Sequence, residues 1–251
     1  MKYLLTLISI IAISSASAQL KPVAYADGSQ KLNGFSIQPS TGNNKAGILI
    51  LPAWKGIDIH AKNTAEKLAA AGYYAFVADI YGEGNYPADM KKAGELSGYY
   101  KKNVTEYRQR IKLALDQLIK AGADPAKIVV IGFCFGGTGA LEAARADMQV
   151  KGVVSFHGGL ANASAQLSSI TPKILVLHGA DDPNVPEKEV LGFQQEMRTA
   201  KADWQMIYYA NAVHSFTDPA AGNDNSKGAA YNELAAKRSW EHMMIFLKEV
   251  L

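Results

Sequence analysis

Apolar residues fall along this chain in short, nearly unbroken runs separated by longer stretches of helical periodicity. The runs occupy residues 47–51 (GILIL), 74–80 (YAFVADI), 127–131 (KIVVI), 152–156 (GVVSF), 173–177 (KILVL) and 205–209 (QMIYY). Runs of this kind suit parallel strands covered on both faces, whereas half-exposed strands alternate apolar with polar. A further extended segment, 31–40, is read as an antiparallel edge hairpin with 23–27. Helical patterns cover 61–71, with Asp58 as a cap before it and Gly72 after it, and 88–121, with a break near Asn103. Others cover 137–145, 187–200 and 229–250, and the polar segment 218–227 reads as a surface loop before the last helix. Strand and helix in repeated alternation predict one α/β domain with an open, mostly parallel central sheet and helices on both faces.

Composition narrows the classes. At 251 residues the chain can form one large domain with a full core. Its 26 basic and 23 acidic side chains leave a formal charge of +3, spread along the chain. That excludes the concentrated basic surface that nucleic-acid binding requires. The first 18 residues read MKYLLTLISIIAISSASA, with Lys2 ahead of an apolar stretch and a small-residue site at Ala16-Ser17-Ala18. This is the pattern of a secretory signal peptide cut after Ala18. The expectation is export to the periplasm or the medium of a single domain, residues 19–251, with a net charge of +2. The apolar stretch is short and interrupted by serine, so no stable membrane insertion is expected once it is removed.

The chain has one cysteine, Cys134, which excludes an intrachain disulfide. It lies in VVIGFCFGGTG, residues 129–139, where a strand pattern runs into a glycine-flanked turn and then a helix pattern. A buried structural cysteine would fit composition alone. The order strand, G-x-C-x-G, helix instead fits an elbow that lifts a nucleophile above the sheet at a helix N-terminus, where a thiolate is favoured. A phosphate-binding loop does not fit, because no Lys-Ser/Thr follows the glycines.

A nucleophile of this type needs a base, and the base an orienting carboxylate. Downstream, KILVLHG runs into ADDPNVP, which places Asp181 and Asp182 after one strand, and QMIYY runs into ANAVHSF, which places His214 after a later one. Loops at strand C-terminal ends are where open α/β sheets gather their ligands. His157, in SFHGG at another strand end, is read as a candidate pocket residue, as is Tyr81 near the mouth. His60, His178 and His242 read as structural or surface groups, and GYYKK at 98–102 as a surface helix end. The five histidines show no clustered metal spacing, so no metal is expected.

With GFCFGG, GADDPNVP, AVHSFTDP and ADIYGEG, the chain from about residue 46 onward resembles the dienelactone hydrolase family of α/β-hydrolases. The resemblance implies the α/β-hydrolase fold. It also selects Asp182 as the acid, through its Asp-x-x-Val-Pro run, and His214 as the base. It implies an oxyanion hole made by the backbone N–H groups of Phe135 and Trp54. Three positions depart from the family pattern. Ala53 stands where the family has a glutamate that partners the resting cysteine. Glu83 and Asp218 stand where it has arginines that hold a substrate carboxylate, and acids there would repel an anionic substrate.

The implied activity is hydrolysis of a small-molecule carboxylic ester or lactone through an acyl-enzyme on Cys134, with no metal or organic cofactor and a monomer assumed. The alternatives are a binding or thiol redox-responsive protein that keeps this fold without efficient hydrolysis, and a structural hydrolase relative that binds a sugar or lipid in the envelope.

Overall fold

The computed structural model describes residues 19–40, 44–162 and 169–251. The expected leader, residues 1–18, lies outside them. Among the described residues eight strands are present: β1 (Lys21–Asp27), β2 (Gln30–Ile37), β3 (Gly47–Leu51), β4 (Tyr74–Val77), β5 (Ile128–Phe133), β6 (Gly152–Phe156), β7 (Lys173–Gly179) and β8 (Trp204–Tyr209). Among the same residues six α-helices lie between and after them: α1 (Ile59–Ala70), α2 (Met90–Lys102), α3 (Val104–Lys120), α4 (Phe135–Arg145), α5 (Glu187–Thr199) and α6 (Glu233–Val250). The strands form one sheet in the order β1-β2-β4-β3-β5-β6-β7-β8, parallel from β4 to β8. The edge hairpin β1–β2 joins it antiparallel. This is the α/β-hydrolase fold.

Successive strand residues face opposite layers, so two cores form. Leu49, Leu51, Val130, Val153 and Val176 pack with α3, α4 and α5 on one face. Ile48, Ile50, Val129, Ile131, Val154 and Leu175 pack with α1 and α6 on the other. Full burial of each such side chain is worth about 1.5–3 kcal/mol, which is why runs without polar residues are required here. The chain leaves β3 toward β4 on one side and later returns to β5 on the other. That reversal opens a crevice at the carboxyl ends of β3 and β5.

Several boundaries differ from the sequence expectation, each for a local reason. The run 74–80 leaves the sheet after Val77 because Asp79 is occupied elsewhere. Its backbone exchanges two hydrogen bonds with the Tyr25 hydroxyl, and its carboxylate accepts from the N–H groups of Asn33 and Gly82 and from the Tyr86 hydroxyl. The last helix starts at Glu233 rather than 229, capped by the Asn232 side chain, since Ala229 and Ala230 are paired with His214. The break at Asn103 falls as expected, and Asp58 caps α1 through the Ala61 N–H. The segment 218–227 is a loop with two short 3-10 turns.

One buried ion network locks α4 to its neighbours. Arg145 donates to both oxygens of Glu196 on α5, to Glu142 within α4, and to the carbonyls of Leu160 and Ala161. Glu142 also accepts from Arg108 on α3. Removing one member of such a network strands the others in a low-dielectric interior. Arg145→Ala is therefore expected to cost about 3–5 kcal/mol of stability, measured by urea unfolding. A loss below about 1 kcal/mol would mean that water reaches and solvates the two glutamates.

Candidate active site

Strand β5 ends at Phe133 and α4 begins at Phe135, so Cys134 makes the whole turn, with φ 53° and ψ −113°. A non-glycine residue in this region is strained and persists only when its surroundings fix it. The Cys134 N–H donates to the Phe156 carbonyl at 3.0 Å, and its carbonyl accepts from the Thr138 N–H at 3.1 Å. Gly132 and Gly136 leave room for the turn. A Cβ on Gly132 would strike the Gly136 carbonyl, and one on Gly136 the Leu51 carbonyl.

The sulfur meets the two loops that the sequence pointed to. His214 Nε2 lies 3.0 Å from Cys134 Sγ, and His214 Nδ1 lies 2.8 Å from Asp182 Oδ2. The other oxygen of Asp182 accepts from the Asn184 N–H at 2.8 Å. Asp182 is buried, whereas Asp181 is exposed and engages only its backbone, donating to the Ala212 carbonyl. His214 is held through its backbone, which pairs with Gly228 and Ala230.

Burial pushes the Cys134 thiol up, but the hydrogen bond and charge of His214, the charge of Lys101 and the Phe135 N–H outweigh it and lower its pKa. Burial pulls His214 down, and the hydrogen bonds to Asp182 and Cys134 override it, raising its pKa to about 10. The pair therefore rests as thiolate and imidazolium over a window bounded below by the thiol and above by the imidazole.

These groups open into a cavity of about 420 Å³ walled by Trp54, Ser97, Lys101, Phe135, Gly159, Asn184, Val185, Ser215 and Ala229. A larger cavity of about 660 Å³ opens elsewhere, between α1 and α6, and holds none of Cys134, Asp182 and His214. The smaller one is the candidate site because the reactive sulfur is there. The Phe135 N–H is the first donor of α4. The Trp54 N–H, in the turn closed by Gly56 N–H on the Ala53 carbonyl, has no acceptor among the described residues. Of the two, the Trp54 N–H is unengaged, while the Phe135 N–H bonds to the Cys134 sulfur. Among the described residues, no group of three or more His, Cys, Asp or Glu side chains is placed to hold a metal ion.

Two candidate pocket residues lie behind the wall instead of on it. Tyr81 is 2% exposed. Its hydroxyl donates to the Trp54 carbonyl at 2.7 Å, and its ring stacks on Phe135 with centroids 5.8 Å apart. His157 is also 2% exposed and sits beneath the elbow. Neither lines the cavity that holds the sulfur.

Glu83 and Asp218 do not line this cavity either. Glu83 is exposed, bonded through its backbone to Lys31 and Gln30, and Asp218 caps a 3-10 turn beside the larger cavity. The expected repulsion of an anionic substrate is therefore not delivered there. The cation on the wall is Lys101, one helical turn after Ser97 on α2, in the stretch that read as a surface helix end. The i, i+4 spacing of Ser97 and Lys101 was visible in sequence, but which face of α2 meets the site depends on tertiary packing. Tyr107 was also missed: it is fully buried, stacks on Phe135 at 4.5 Å and donates to its carbonyl at 2.9 Å.

Residues 32–251 match the dienelactone hydrolase family. The chain is similar to the crystal structure of a dienelactone hydrolase-like promiscuous phosphotriesterase from metagenomic libraries, at 35% identity and a TM-score of 0.87, covering 94% of this chain and 99% of that one. It is 35% identical over 150 residues to an uncharacterised protein of Caenorhabditis elegans, covering 57% of this chain and 92% of the relative. It is 24% identical to a Yersinia pestis protein named "Putative carboxymethylenebutenolidase", covering 78% of this chain and 75% of the relative.

Cys134 being the single cysteine, its thiolate can be titrated by ultraviolet absorbance without other thiols. The thiolate signal is expected to persist below the ordinary thiol range and to fade as acid protonates the sulfur through its lowered pKa. In His214→Ala, burial acts with less opposition and the titration moves to higher pH. Superimposable titrations of the two proteins would show that the imidazole does not govern the thiol.

Proposed function

Because the chain belongs to the dienelactone hydrolase family, we propose that it hydrolyses carboxylic esters or lactones through a covalent acyl-enzyme on Cys134. The observation that carries this reading is the continuous line of sulfur, imidazole and buried carboxylate, with the sulfur and imidazole facing an open cavity. The thiolate attacks the carbonyl carbon, and the oxygen takes up the electron pair against the N–H groups of Phe135 and Trp54. Preorganised donors of this kind are worth roughly 10²–10³ in kcat each. The imidazolium of His214 then protonates the departing alkoxide, or the ring oxygen of a lactone. Neutral again, His214 takes a proton from water, which attacks the thioester and frees the sulfur. Asp182 holds Nδ1 protonated throughout, so that Nε2 always faces the sulfur and the substrate.

Ala53 places no carboxylate beside the resting thiol in this reading, so the sulfur pairs directly with His214. The leader pattern at residues 1–18 supports export as well, and the working form is then residues 19–251.

The mature protein, assayed on short acyl esters, lactones, thioesters and a phosphotriester, is expected to turn over a carboxylic ester or lactone. Cys134→Ala should lower kcat on the order of 10⁴-fold or more. Unchanged turnover in that variant removes the sulfur from the mechanism. Cell fractionation with N-terminal sequencing is expected to find the chain outside the cytoplasm and beginning at Gln19; a cytoplasmic chain that begins at Met1 rules export out.

A further inference from the structure

We propose that His157 is a positioning residue that ties the turn carrying Cys134 to the loop carrying His214. The ring is bonded at both nitrogens, one to each side of the site. The Cys134 N–H, shared with the Phe156 carbonyl at 3.0 Å, also donates to Nδ1 at 3.2 Å, and Nε2 lies 2.8 Å from the Thr217 hydroxyl, three residues beyond His214. An acceptor at Nδ1 requires the proton on Nε2, so the ring is neutral and donates to Thr217. A doubly protonated ring would set one N–H against another.

The surroundings enforce that state. His157 is fully enclosed, and the titratable groups that face it are His214, His60 and His178. No carboxylate bonds to it among the described residues. Burial first, then the charges of those histidines, hold its pKa well below the ordinary histidine value. The His157 backbone is itself unusual, at φ 39°, and its N–H donates to the Leu177 carbonyl on β7. Strain at a buried side chain with two directed bonds is what a fixed spacer requires, and a mere filler of volume needs neither. The ring packs edge-on to His214, with centroids 5.3 Å apart, so a shift of His157 moves the base as well as the elbow.

The inference rests on the hydrolytic reading, and two variants test it. Thr217→Val keeps the shape, removes the hydroxyl and touches neither Cys134 nor His214. His157→Asn accepts a positive φ and keeps an acceptor for the Cys134 N–H, but it is too short to reach Thr217. Each is expected to lower kcat about 10-fold with KM changed less than about 2-fold, because a misplaced nucleophile costs rate and not binding. Each should also move the Cys134 thiolate titration to higher pH, and the double variant should be no worse than either single one. Wild-type kcat and titration in both folded variants overturn the proposal, and so do additive losses in the double. If His157→Asn fails to fold, Thr217→Val decides alone. The titration needs no substrate, so it still tests the tether if turnover that survives Cys134→Ala defeats the hydrolytic reading.

Discussion

Helix α4 has to begin one residue after β5 stops, with its first turn lying against the carbonyl of Leu51 at the end of β3. Only glycine at positions 132 and 136 permits that approach, and only a sharply turned residue between them can connect the two elements. The side chain at the turn has nowhere to go except up, into the crevice where the sheet reverses its order. From this constraint follow the half-buried place of the sulfur beside the cavity, its position at a helix N-terminus and the position of the Phe135 N–H. Tyr81 and Tyr107, both stacked on the Phe135 ring, then keep that residue in place.

Electrostatics builds on the same frame. A thiolate and an imidazolium are both costly in a low-dielectric pocket, and burial opposes each of them here. They coexist because they are 3.0 Å apart and because Asp182, itself bonded to the Asn184 N–H, supplies a fixed negative charge behind the ring. Lys101 adds a positive charge from the cavity wall. Where the family has a glutamate, this chain has Ala53, and among the described residues the groups that act most on the Cys134 thiol include no carboxylate.

Much of this was legible in the residue pattern. Parallel strands buried on both faces leave an unmistakable record, and all six apolar runs became strands. The edge hairpin was legible too. The elbow was readable because its glycines answer a local steric demand, and the Asp181-Asp182 pair and His214 because each follows such a strand directly; the family resemblance selected Asp182 from the pair. What escaped was set by contacts between distant segments. Lys101 looked like solvent-facing helix because nothing in its own sequence says that α2 flanks the crevice. Tyr81 and His157 were placed at the mouth by their strand-end positions, but their rings turn inward to satisfy the Trp54 carbonyl and the Cys134 N–H. The early end of β4 came from Asp79, whose partners Tyr25 and Asn33 lie on the edge hairpin some fifty residues earlier.

The 80 residues that separate Cys134 from His214 also bear on how the chain is made. A ribosome delivers the thiol well before the imidazole, and the strand and loop that position the ring are among the last parts to emerge. Until then the thiol lacks the partner that most strongly draws off its proton. Its lowered pKa is thus a property of the folded chain and not of the nascent polypeptide.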